Sequence, residues 1–66
     1  MTQNEAKVGI RVKSLVDFTG VPAGTGGVID EDYGSGVMVK WDLRGEYLRD
    51  GFDKYSELSL LEVVRR

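Results

Sequence analysis

Apolar and polar residues alternate one for one in short stretches of this chain. Val8, Ile10 and Val12 are separated by Gly9, Arg11 and Lys13, and Val37, Val39 and Trp41 by Met38 and Lys40. A period of two sends successive side chains to opposite faces of an extended backbone, with the apolar set inward. The pattern predicts strands over residues 8–15 and 37–42, and shorter apolar runs add strands over 26–31 and 60–64. Residues 46–53 predict a further, irregular strand, because Tyr47, Leu48 and Phe52 do not alternate and Gly51 interrupts them. Ser56 and Glu57 suit a single helical turn over residues 55–58, and no stretch supports a long helix.

Glycine and proline punctuate these runs. Pro22 fixes its own φ and biases Val21 toward an extended backbone, and Gly24-Thr25-Gly26-Gly27 leads into Val28 and Ile29. Asp30 through Gly36 form a polar hairpin connection, and Arg44-Gly45 is another turn signal. Five short strands in so short a chain hide their apolar sides most economically if one antiparallel sheet curls on itself. The expected core is Val8, Ile10, Val12, Val28, Ile29, Val37, Val39, Trp41, Phe52, Leu58, Leu61 and Val63. Residues 1–6 read as a disordered lead, 7–64 as one domain and 65–66 as a tail.

Composition narrows the functional classes. With 66 residues the chain holds one small core and, lacking cysteine, no disulfide to brace it, so packing and association with a partner or with itself must do so. The absence of both Cys and His excludes Cys/His zinc sites, a Ser-His-Asp triad and a Cys-His pair. No enzymatic activity and no cofactor is expected. No apolar run reaches the roughly 20 residues of a membrane span, and a cysteine-free chain fits a reducing, cytoplasmic setting. Nine basic against eleven acidic residues give a net charge of −2. The resulting pI near 4.9 disfavours nucleic acid, whose phosphates attract strongly basic proteins.

The order and spacing of Val8-Gly9-Ile10-Arg11-Val12, Val21-Pro22-Ala23-Gly24-Thr25-Gly26-Gly27-Val28-Ile29, Val37-Met38-Val39-Lys40-Trp41-Asp42 and residues 58–63 resemble small bacterial SH3-like barrels. The resemblance spans residues 8–64 and implies an all-β fold: a five-stranded antiparallel SH3-like barrel with one short 3-10 turn before the last strand. KOW-type barrels share the glycine turn and carry a basic surface that this chain lacks. The small peripheral barrel protein of photosystem I and its relatives dock an acidic protein through a basic face, to which Arg11, Lys13 and Lys40 would correspond. The Val-Gln-Ile-Tyr strand of the plasmid-type dihydrofolate reductase barrel is absent, and Leu15-Val16-Asp17-Phe18 only faintly echoes the ALYDY motif of peptide-binding SH3 domains.

Candidate chemistry is sparse. The glycines around Thr25 lack the spacing of a phosphate loop and read as a turn, and Asp30-Glu31-Asp32 lacks the ligand spacing of a calcium loop and reads as a solvated hairpin tip. Trp41 reads either as a core aromatic or as a groove residue at a barrel mouth. Phe18, Pro22, Tyr33, Trp41 and Tyr47 make up the candidate partner-binding surface, and Arg11, Lys13 and Lys40 a candidate basic patch. The expectation is a small non-enzymatic module that binds a protein or itself. A KOW-like nucleic-acid-binding barrel is the alternative, and an oligomeric enzyme with an inter-subunit site is a remote one.

Overall fold

In a computed structural model, residues 1–17, 20–43 and 48–64 are described. The strands are β1 (Arg11–Ser14), β2 (Gly26–Asp32), β3 (Gly36–Trp41), β4 (Arg49–Asp53) and β5 (Leu61–Val63), with a 3-10 turn at Leu58–Leu60 just before β5. They form one antiparallel sheet in the order β4-β3-β2-β1-β5, curled into a half-barrel. No α-helix occurs among the described residues. The all-β class, the five antiparallel strands and the closing 3-10 turn agree with the sequence expectation.

The curl has a local cause. Ile29 pairs with Val39 but Glu31 pairs with Met38, so Asp30 is a surplus residue on β2. Such a bulge bends its strand and increases the local twist. The bend turns Val12, Ile29, Val37, Val39, Trp41, Phe52 and Leu61 toward one another, with Leu58 of the 3-10 turn at one end. Each of these is buried, as the alternation requires.

Four expected core positions differ. Val8 is 61% exposed, because Gly9 adopts a left-handed φ of +94° and the alternation starts anew after it. The strand therefore begins at Arg11, although Gly9 N–H and the Ile10 carbonyl still bond to Ile29. Ile10 is half-buried against the core. Val28 is also half-buried, paired with Arg11 on one side and Lys40 on the other, because its neighbour Ile29 takes the inward direction. Val63 faces Val12 but sits on the edge strand, with cover on one side only.

Among the described residues, five buried ones lie outside the expected set: Ala6, Ser14, Val21, Gly27 and Gly36. The Ser14 hydroxyl donates to the Val16 carbonyl and accepts from the Val16 N–H at 3.3 Å, so burial leaves it satisfied. Residues 1–6, expected to be a disordered lead, instead form a turn. Glu5 N–H bonds to the Thr2 carbonyl, Ala6 is buried, and the Met1 ammonium donates to the Leu61 carbonyl at 2.9 Å and the Leu58 carbonyl at 3.3 Å.

Candidate functional site

Trp41 is a core residue. It is 2% exposed, its ring meets Phe52 edge-on at 6.1 Å and 82°, and its indole N–H donates to Asp50 Oδ2 at 2.7 Å. Of the two readings open from sequence, the core one holds, and the ring is not presented to a partner. Pro22 is exposed in the turn closed by Thr25 N–H on its carbonyl. Phe18 and Tyr47 lie outside the described residues. Tyr33 is 47% exposed.

The strand register explains the cations. Arg11 opposes Val28, Val28 opposes Lys40 and Lys40 opposes Arg49, so these side chains share one row on the outer face. The row is not a bare basic stripe. Arg11 pairs with Asp42, Lys13 Nζ lies 3.5 Å from Glu62 Oε1, and Lys40 is itself engaged. Arg49 reaches Asp30 at 3.0 Å and Glu31 at 3.2 Å, and these two carboxylates, Asp30 first, raise its pKa. Acids are therefore set among the cations of this face. Exposed pairs of this kind are weak, because water and salt screen them.

A second cluster gathers where the β2–β3 tip meets the turn after β4. Asp32 Oδ1 accepts the Gly34 N–H at 2.9 Å, both Asp32 oxygens accept from Lys54 Nζ at 2.9 Å, and Lys54 N–H donates to the Ser35 carbonyl at 2.9 Å. The Gly34 N–H, and after it Lys54, hold the Asp32 carboxyl below its ordinary value of 3.8. Gly34, at φ +92°, supplies the left-handed residue that the tip needs. These bonds tie the two turns together and bring Tyr33 and Tyr55 to one end of the sheet.

Tyr33 lies across the outer face of β3 and β4. A Cβ built on Gly36 would strike its phenol, and one on Gly51 would lie 3.1 Å from its hydroxyl. Two glycines thus make the shelf on which this ring rests, an arrangement that covers otherwise bare strand backbone. Tyr55 is 80% exposed, beside a shallow groove of about 280 Å³ lined by Met1, Gln3, Lys54, Leu58 and Ser59. Sequence reasoning absorbed Tyr55 into a helical turn. Its position between Lys54 and Ser56 was the signal that it faces outward. The turn itself is braced by Asp53 N–H on Glu57 Oε1 at 2.9 Å and Ser56 Oγ on Asp53 Oδ2 at 2.7 Å.

Among the described residues no group of three or more acidic side chains is placed to hold a metal ion, and no buried side-chain nitrogen or oxygen lacks a hydrogen bond. Asp30, Glu31 and Asp32 are directed at Arg49 and Lys54 instead. No described helix is long and apolar enough to cross a membrane. Compared with known proteins, the chain matches no family model, no curated protein and no solved structure.

Proposed function

We propose that the chain is a non-enzymatic protein-interaction module on an SH3-like half-barrel, binding through the end of the sheet that carries Tyr33 and Tyr55. The observation behind this reading is the exposure of both tyrosines on turns held together by Asp32 and Lys54. Tyrosine is enriched at protein interfaces because it offers large, stiff contact area with a polar tip. Pre-bonded turns lower the ordering entropy that binding would otherwise have to overcome. A nucleic-acid reading would need Arg11, Lys13 and Lys40 free to neutralise phosphate. The first two stand in ion pairs and the third is engaged, which favours a protein partner.

The test is photo-crosslinking in cells of the source organism. A benzoylphenylalanine in place of Tyr55 should give a discrete protein adduct, and the same group in place of Val8, also exposed but on another part of the surface, should not. Adducts to nucleic acid, or identical adducts from both positions, would sink the reading.

A further inference from the structure

We infer that the outer edge of β4 accepts an extended, basic strand of another protein, which adds to the sheet beside Arg49 and Gly51. This inference rests on the protein-interaction reading and assigns it a contact and a partner chemistry.

The hydrogen-bond parity of β3 and β4 exposes the edge. Trp41 N–H donates to the Leu48 carbonyl and Lys54 N–H to the Ser35 carbonyl, each at 2.9 Å. In the register that pairs Val39 with Asp50 and Val37 with Phe52, the backbone groups of Asp50 and Phe52 therefore point toward β3. Those of Arg49, Gly51 and Asp53 point away from it. Asp53 is already capped, its N–H by the Glu57 carboxylate and its carbonyl by the Glu57 N–H. Arg49 and Gly51 remain, with two donors and two acceptors that no other described residue meets. Gly51 is exposed and without a side chain, which suits the close approach of another backbone.

Charge selects the partner. Among the described residues, β4, the turn after it and the side chains that pair with them hold six carboxylates, Asp30, Glu31, Asp32, Asp50, Asp53 and Glu57, against three cations, Lys40, Arg49 and Lys54, a local net charge of −3. A strand with Lys or Arg at every second position would set its cations along this edge while its backbone bonds to Arg49 and Gly51. A second copy of the chain fits poorly. A two-fold axis at Gly51 would oppose Arg49 to the backbone of Asp53, which Glu57 already holds. An axis at Asp50 would set that carboxylate against its own copy, a destabilising like-charge pair.

The probe is the heptapeptide acetyl-Lys-Thr-Lys-Val-Lys-Thr-Lys-amide added to the full ¹⁵N-labelled chain. Saturation should slow exchange of the Gly51 amide by about tenfold or more, and Gly51→Pro should weaken binding by about tenfold, the equivalent of 1.4 kcal/mol. Proline there removes no donor of the β3–β4 ladder, because the Gly51 N–H faces outward. Absence of binding, an unchanged Gly51 exchange rate in the saturated complex, or equal binding of the peptide with Glu for every Lys would each overturn the inference. If Gly51→Pro does not fold, Gly51 exchange in the unaltered chain decides. Failure here alongside a specific crosslink from position 55 would remove the β4 assignment and leave the interaction module standing.

Discussion

The indole N–H of Trp41 donates to the carboxylate of Asp50 at 2.7 Å, joining β3 to β4 by a side-chain bond on the same face as the core. The bond satisfies the one polar atom of a ring that is otherwise sealed against Phe52. Removing the acceptor leaves a buried donor without a partner, at a cost of about 1–3 kcal/mol. Asp50→Ala should therefore lower stability by that amount in urea titrations followed by Trp41 fluorescence. Asp50→Asn keeps a carbonyl oxygen in reach and should recover most of it. Equal losses in the two variants would show that the bond contributes little.

Neighbouring glycines at the start of β2 should behave oppositely. A Cβ on Gly27 would lie 2.8 Å from the Lys40 carbonyl oxygen and 2.9 Å from both Trp41 Cε3 and Val39 Cγ1, all fixed parts of the core. On Gly26 the nearest atom would be Asp42 Oδ2 at 3.4 Å, an ordinary contact. Overpacking of this kind destabilises by roughly 1–3 kcal/mol, so Gly27→Ala should melt well below Gly26→Ala in the same thermal scan.

Acid should weaken the tip of the β2–β3 hairpin. The Asp32 carboxyl is held below its ordinary value of 3.8 by the Gly34 N–H and Lys54, so its stabilisation is present above that value. It disappears as the pH falls further and the folded-state group takes up its proton. Asp32→Asn should reduce stability at neutral pH, and the gap to the unaltered chain should close on acidification below about pH 4. A gap that stays constant down to about pH 2 would refute the assignment.

Core and candidate site should separate cleanly by stability. A chain of this length has roughly 3–10 kcal/mol in hand, and truncating a buried phenylalanine costs roughly 3–5 kcal/mol. Phe52→Ala should thus lose roughly a third or more of the folding stability in urea titrations followed by circular dichroism. Tyr55→Ala, at a solvated position, should shift stability by less than about 0.5 kcal/mol while eliminating binding at this end.

What could be read from sequence depended on whether neighbouring residues agreed. Val37, Val39 and Trp41 alternate without interruption, and all three are buried as expected. Val8 continues the same alternation on paper but is separated from it by the left-handed Gly9, a conformation that no hydropathy pattern records. Val21 and Ala6 are buried from segments that read as loop and lead, because tertiary contacts made at long range decide their burial. Pairing of cations with acids was equally invisible, since Arg11 and Asp42 meet only through the β1–β2–β3 register. Tyr33 could be named as a loop aromatic, whereas the glycine shelf beneath it forms only when β3 pairs with β4.

The position of that shelf is a matter of counting. With Asp30 surplus to the ladder, everything after it on β2 is set one step out of phase with what precedes it. Deleting that single residue would leave Ile29 opposite Val39 and Glu31 opposite Met38, and would remove only the bend that the surplus residue gives β2. The sheet would then straighten there, and the hairpin tip that carries the phenol above Gly36 and Gly51 would shift with it. The bend that sets the tyrosine-bearing end is thus fixed by one surplus link in β2, and deleting it should weaken recognition more than any substitution of Asp30.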